Sequence, residues 1–329
     1  MSSSSPPSAA GQHAHDDRGP AIIAVHWSLT ALATIFLGLR VYCKHITKRR
    51  LWWDDWILIA AWTTIITTDV LTTVMVYEFK LGRHSDELVI PDITRFLLIL
   101  SSRATTTITA TVLTKTAFAI TLLRLTAGRI KQFVWFIIVS MNIAMGFSAA
   151  VPWIQCQPLD KGWIPDRPGT CWATQVGTKI WIATGAYSAL MDFTLAILPW
   201  TFLYNLLLQR KEKIGVLVAM SMGVIAGAVA IVKCAKLPQL GSGDAYNETE
   251  LYMWDIAEST VTMMAACIPT LRVLLRDVKP SSSHQGVSTY AFSLKRSRTG
   301  GFHDVERAHQ FTESRISDNK VSSGSGSGY

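Results

Sequence analysis

The sequence carries little charge for its length. Only 16% of its 329 residues are Asp, Glu, Lys or Arg, whereas soluble domains carry about 25%. The charge is also unevenly placed, because residues 1–20 and 280–329 are polar and the stretch between them is more apolar still. These features exclude a disordered chain, a collagen-like repeat and an ordinary cytosolic enzyme. They predict a polytopic membrane protein.

The sequence also lacks the residue patterns of common catalytic and metal sites. Its five cysteines are too few and too scattered for a disulfide scaffold or a zinc site with paired Cys-x-x-Cys. It contains no P-loop, no His-Glu-x-x-His and no nucleophile elbow. We therefore assign no catalytic residue, no metal and no cofactor. A net charge of +8 does not indicate nucleic-acid binding, because the basic residues form short clusters between apolar runs.

Seven apolar runs are each long enough to cross about 30 Å of hydrocarbon as a helix, which takes roughly 20 residues. They cover residues 21–43, 56–77, 97–123, 132–154, 177–203, 214–235 and 251–275. The sequence thus predicts an all-α, seven-helix membrane domain over residues 21–279, with disordered tails at 1–20 and 280–329. Because residues 1–20 show no cleavable signal peptide, we expect the first span to act as the targeting signal.

Lys and Arg are more numerous in the loops that follow the odd-numbered spans, as in the cluster Lys48-Arg49-Arg50 after the first span. Basic loops remain on the cytoplasmic side of a membrane. We therefore expect the N-terminus outside and the C-terminus in the cytoplasm, in the plasma membrane or an endomembrane.

Two features of the predicted outer face indicate covalent modification. Cys156 and Cys171 fall in the loop between the fourth and fifth spans. Because the outer compartment is oxidising, we predict a disulfide between them, and we expect the loop that it closes to form a stiff lid over the bundle. The sequon Asn247-Glu248-Thr249 marks Asn247 as a candidate glycosylation site.

Charged residues inside the predicted spans are costly in lipid and therefore informative. We take five of them as candidate site residues, namely Asp69, Arg103, Lys115, Asp192 and Glu258. We expect two ionic layers, an outer one that pairs Arg103 with Asp69 or Glu258, and an inner one that pairs Lys115 with Asp192. Either these pairs only fix helix register, or the outer layer is a polar ligand pocket and the inner layer a switch.

Two further groups of charged residues near the ends of the spans are interpreted as structural. Arg40 faces Asp54 and Asp55 across a short loop. With Trp52, Trp53 and Trp56 beside them, we interpret these residues as interfacial anchors and a helix cap. Lys233 lies near the outer end of the sixth span and is expected to extend its ammonium group to the membrane surface.

Several short motifs together resemble a known family, the fungal rhodopsin-domain integral membrane proteins, which have seven helices and include satratoxin-cluster-type and receptor-like members. The motifs are Arg40 with Trp53-Asp54-Asp55, Leu81-Gly82-Arg83-His84, Cys156-Gln157-Pro158 with Trp163 and Cys171, Asp192, Pro199, Arg210-Lys211-Glu212-Lys213, Glu258 and Cys267-Ile268-Pro269-Thr270. The resemblance implies a receptor-like membrane protein. It does not imply a retinal protein, because residues 251–275 contain no lysine for a Schiff base.

Three functions are compatible with these observations. The first, which we prefer, is a receptor-like protein in contact with lipid, which binds a small-molecule ligand in the outer half of the bundle and signals to a cytoplasmic partner. The second is an intramembrane enzyme that uses Asp69, Asp192 and Glu258 as general acids on a lipophilic substrate. The third is a small-solute transporter.

Overall fold

A computed structural model describes residues 17–48, 50, 52–83, 90–124, 126, 128–203, 210–239 and 245–278. The predicted tails, apart from residues 17–20, lie outside the described residues. Within these ranges the chain forms seven long helices and one two-stranded hairpin. They are α1 (Gly19–Ile46), α2 (Trp53–Phe79), α3 (Ile93–Leu123), α4 (Arg129–Ile154), β1 (Cys156–Gln157), β2 (Thr170–Cys171), α5 (Thr174–Leu203), α6 (Arg210–Lys236) and α7 (Ala245–Val278). Each predicted span lies inside one helix, so the all-α prediction is confirmed.

The distribution of polar and apolar side chains is the reverse of that in a water-soluble protein. Ile35, Phe136 and Ile143 are each more than 60% exposed, whereas Arg40 and Asp69 are fully buried. Lys, Arg, Asp and Glu are almost never fully buried in soluble proteins unless they are paired. Helices α1 to α5 are also long and apolar enough to cross a membrane. The chain therefore has the fold of a multi-pass membrane protein.

The helices pack in chain order, and α7 closes the ring against α1. Helix α3 is central, since it packs against α2, α4, α5 and α7. Because successive helices alternate in direction, the bundle has two distinct ends. We call them the hairpin end, where α1 begins and the β1–β2 hairpin lies, and the Arg40 end, where α1 ends.

The hairpin is closed by the predicted disulfide between Cys156 and Cys171, which is confirmed. These two cysteines are also paired in the antiparallel register of β1 and β2. The Trp163 ring packs edge-on against Trp153 in the last turn of α4, with 5.8 Å between ring centroids. These contacts place the hairpin against the end of α4.

Small residues allow α5 and α6 to approach closely. A Cβ atom added to Gly227 would lie 2.9 Å from the Phe193 ring, and one added to Gly223 would lie 3.0 Å from the Cβ atom of Ala196. Small residues at such contacts are typical of helix pairs in membranes, where close packing replaces the hydrophobic effect.

Candidate binding site inside the helix bundle

One face of α3 carries polar side chains into the centre of the bundle. Arg103, Thr107, Thr111 and Lys115 recur at every fourth position and are all buried, as their spacing along one helix face predicts. The threonine hydroxyls donate to backbone carbonyl oxygens one turn earlier, at 2.9 Å for Thr107 and 3.1 Å for Thr111. The Thr107 hydroxyl is thus satisfied within its own helix, and the Thr111 hydroxyl also shares a hydrogen bond of 2.8 Å with Ser259 Oγ on α7. The two cations find their partners on other helices.

Lys115 uses all three of its ammonium donors. Its Nζ atom donates to Asp192 Oδ2 at 2.7 Å, to Glu258 Oε1 at 2.6 Å and to Ser188 Oγ at 2.5 Å. The structure therefore contains the expected pairing of Lys115 with Asp192. It also brings Glu258 to Lys115, a contact that the two-layer interpretation did not include.

The side chain of Lys233 on α6 points into the bundle. The sequence had instead predicted that it extends to the membrane surface. Its Nζ atom lies 2.9 Å from Glu258 Oε2 and 3.1 Å from Asp255 Oδ1, and its side chain is 13% exposed. The reason is that the carboxylates of Asp255 and Glu258, one turn apart on α7, attract the Lys233 ammonium group more strongly than the membrane–water interface does. Asp255 was not among the predicted site residues, although its position three residues before Glu258 places both on one face of α7.

Arg103 pairs with Asp255, and not with Asp69 or Glu258 as the sequence suggested. Its Nη2 atom lies 3.4 Å from Asp255 Oδ2. The guanidinium group stacks on the Tyr252 ring, with its carbon 3.6 Å from the ring centroid. Although the side chain is only 3% exposed, its Nε atom has no hydrogen-bond partner among the described residues. Arg103 is therefore incompletely satisfied at a buried position.

These contacts join into one continuous network, where two separate layers were expected. We call it the ionic chain; in contact order it consists of Asp192, Lys115, Glu258, Lys233, Asp255 and Arg103. It links α3, α5, α6 and α7. Its three cations and three carboxylates alternate, so its formal charges sum to zero.

Asp69 lies apart from the ionic chain, between α1 and α2. His26 Nδ1 lies 2.9 Å from Asp69 Oδ1, and Thr30 donates to Asp69 Oδ2 at 2.6 Å. His26 is buried, and within the described ranges its Nε2 atom has no hydrogen-bond partner. Sequence reasoning missed His26; the available signal was a histidine in an apolar run with a threonine one turn later.

A second buried cluster holds the Arg40 end together. Arg40 donates to Asp55 Oδ1 at 2.8 Å, to Asp54, and to the backbone carbonyl oxygen of Ala266 on α7 at 2.6 Å. The backbone nitrogen of Trp52 donates to Asp55 Oδ2 at 3.0 Å, which is the helix cap that we expected. Lys44 also binds Asp55, and Arg124 at the end of α3 also binds Asp54. We call Arg40, Lys44, Asp54, Asp55 and Arg124 the Arg40 cluster.

Asn247, the candidate glycosylation site, falls in the first turn of α7, which begins at Ala245. The placement of its side chain lies outside what the structure describes, and its glycosylation stays a prediction. Within the described ranges, no group of three or more His, Cys, Asp or Glu residues could hold a metal ion.

Comparisons with known proteins agree with this architecture. A family model described as the fungal rhodopsin domain matches residues 39–277. Among curated proteins, "Fugralins biosynthesis cluster protein 2" of Gibberella zeae is 28% identical over 127 residues, which make up 38% of this chain and 31% of that protein. The matched stretch thus spans less than a third of the relative. No solved structure matches the chain.

Proposed function

This chain belongs to the fungal rhodopsin domain family, and we propose that it is a receptor-like membrane protein that binds a small molecule beside the ionic chain. The observation that carries the proposal is the ionic chain itself, which links four helices inside an apolar bundle. Ionisable groups inside membrane spans are costly and typically mark functional sites. Packing alone is a weaker explanation, because buried ion pairs contribute little net stability.

The geometry supports coupling between this site and the Arg40 end. Helix α7 carries Glu258 in the ionic chain and, eight residues later, the Ala266 carbonyl that Arg40 binds. At 1.5 Å per residue these positions are about 12 Å apart along the helix. A ligand that moved α7 relative to α3 would therefore change the contacts of Arg40 with Ala266.

We propose that the hairpin end faces outward and the Arg40 end faces the cytoplasm, where a signalling partner would bind. The disulfide supports this orientation, because disulfides persist in oxidising compartments. Tags fused to the two chain ends should be digested by external protease at the N-terminus only. Digestion of both tags from one side would contradict the proposed orientation.

Coupling is testable without a known ligand, by breaking the ionic chain and observing the Arg40 end. In Glu258→Gln we expect amide hydrogen exchange at residues 52–58 to increase several-fold. The matched control is Glu78→Gln, since Glu78 is 41% exposed in its ion pair with Arg95, and it should leave exchange there unchanged. Equal exchange in Glu258→Gln and wild type, with the helix content of both intact, would refute the coupling.

An intramembrane enzyme remains the second candidate, because one observation favours it. His26 Nδ1 is held by the Asp69 carboxylate, and its Nε2 atom has no partner among the residues that the structure describes. This is the arrangement of a general base. The name of the curated relative, a biosynthesis cluster protein, is also compatible with an enzyme. Less favourable is that Asp192 and Glu258, proposed as acids, both bind the Lys115 ammonium.

The enzyme is tested by product analysis of membranes incubated with isoprenoid epoxides. A product formed by wild type and lost in His26→Asn would favour the enzyme over the receptor. The transporter stays a prediction, which solute flux in reconstituted vesicles would test.

A further inference from the structure

The chemical class of the ligand can be inferred from Arg103, the end member of the ionic chain. A guanidinium group has five N–H donors in one plane. The Tyr252 ring covers a face of that plane, at 3.6 Å, and Asp255 meets Nη2 at 3.4 Å, a long contact for a charged pair. The Nε–H group, at the edge of the plane, has no partner in the part of the chain that the structure describes. A ligand atom that meets Arg103 at Nε must therefore be a hydrogen-bond acceptor.

The charge of the ionic chain indicates that this acceptor is uncharged. Three cations and three carboxylates already balance. A bound carboxylate or phosphate would add a negative charge within an apolar bundle, where an unpaired charge is strongly unfavourable. A bound amine would add a positive charge and could not accept from Nε–H in its protonated form. A neutral oxygen satisfies the donor and preserves the balance.

The surroundings of Tyr252 indicate the rest of the ligand. On the side toward the hairpin end, Tyr252 packs in an apolar cluster with Met75 and Val76 of α2, against Phe96 and Ile99 of α3. Phe96 and Ile99 lie one to two turns before Arg103 on the same helix. Arg103, which stacks on Tyr252, is thus joined through that ring to an apolar and aromatic region. The polar tip of the ring lies apart from this region, since the Tyr252 hydroxyl donates to Glu248 Oε2 at 3.3 Å.

We propose that Arg103 Nε–H is the donor that recognises an uncharged, lipophilic ligand through a carbonyl oxygen, as found in a ketone, ester or lactone. The inference rests on the proposed function for the role of the site. To the proposed function, the inference adds the chemical class of the ligand and the hydrogen-bond donor that recognises it. Asp255 keeps its contacts with Lys233 and Arg103, so the ligand adds a hydrogen bond without breaking an ion pair.

The test uses four matched probes with full-length protein in nanodiscs. They are cyclododecanone, the hydrocarbon cyclododecane, and the corresponding amine and carboxylic acid, compared at equal mole fraction in the bilayer. We expect the ketone alone to raise the unfolding temperature of wild type in a saturable manner. Arg103→Lys keeps the charge but lacks Nε–H, and should weaken ketone binding by roughly 10-fold, the effect of losing a hydrogen bond from a charged donor. Arg95→Lys on the same helix is the matched control, because Arg95 is 60% exposed, and it should bind as wild type does.

Four results would overturn the inference. They are stabilisation by the acid or amine in preference to the ketone, equal stabilisation by ketone and hydrocarbon, ketone binding that Arg103→Lys leaves unchanged, and absence of any stabilisation by the ketone. Ketone binding without any change in hydrogen exchange at the Arg40 end would support the inference and refute the receptor function. Failure of the inference can therefore be distinguished from failure of the proposed function.

Discussion

Arg40 on α1 donates a hydrogen bond to the backbone carbonyl oxygen of Ala266 on α7, with 2.6 Å between Nη1 and the oxygen. The two residues are 226 positions apart in the chain. The same guanidinium group binds both carboxylates at the start of α2. A single side chain thus joins α1, α2 and α7 at one end of the bundle, which makes its removal a direct test of how that end is held.

We expect Arg40→Met to lower the free energy of unfolding by about 3–5 kcal/mol, because it leaves buried carboxylates without their main partner. The measurement is denaturant unfolding in mixed micelles. Arg95→Met is the control, since Arg95 is 60% exposed and paired only at the surface, and it should change stability by no more than about 0.5 kcal/mol. Similar losses in the two variants would contradict the role of Arg40.

The contact between Lys115 and Asp192 should behave as a coupled pair. Lys115→Met alone leaves two buried carboxylates facing a methionine, whereas Lys115→Met with Asp192→Leu removes one charge of each sign. In a double-mutant cycle measured by unfolding, we expect a coupling energy of about 0.5–3 kcal/mol. If the two losses simply add, the pair makes no net contribution.

The disulfide should stabilise the hairpin by restricting the unfolded chain. Its cysteines are 15 residues apart, and a loop of that length corresponds to about 3 kcal/mol. We expect a loss of this size in Cys156→Ser with Cys171→Ser, measured by thermal unfolding in micelles. Reductant should destabilise wild type to the same extent and have no further effect on the double variant. An equal effect of reductant on both proteins would place the sensitive thiols elsewhere.

Glycine is required at position 82 and not at position 38. Gly82 has φ +111°, and a Cβ atom there would lie 2.6 Å from the backbone nitrogen of Gly19. We therefore expect Gly82→Ala to destabilise the protein by more than about 1 kcal/mol. At Gly38, inside α1, no atom of the described residues lies within 4 Å of an added Cβ, and Gly38→Ala should stabilise by about 0.5–1 kcal/mol. Thermal unfolding of the two variants in parallel checks both signs.

Much of the fold could be predicted from the sequence because its signals are local. Apolar runs fix the helices to within a few residues, and the four-residue spacing from Arg103 to Lys115 identifies the inward face of α3. The cysteines of one short loop predict their own pairing. The helix bounds, the inward face of α3 and the disulfide follow from the period of a helix or from the compartment in which a loop lies. Predicting them does not require knowing how one helix is positioned relative to another.

The partners within the site could not be predicted, because they depend on how far α7 is shifted and rotated against α3 and α6. Hydropathy places Asp69 and Glu258 at suitable depths for Arg103, yet packing brings Asp255 there and assigns Asp69 to His26. Lys233 was misjudged for the same reason. Depth along the membrane normal and the polar face of α3 were available from the sequence, but the shift and rotation of α6 and α7 relative to α3 were not.

The zero charge sum of the ionic chain constrains how this protein can evolve. A substitution that removes Lys115, Lys233 or Arg103 alone leaves an uncompensated anion within the membrane. Relatives should therefore lose a cation and a carboxylate together or retain both, and intermediate sequences with one partner should be rare. Each pair of positions that changes together would identify two residues in contact, so the sequences of diverged relatives should reveal contacts inside this bundle.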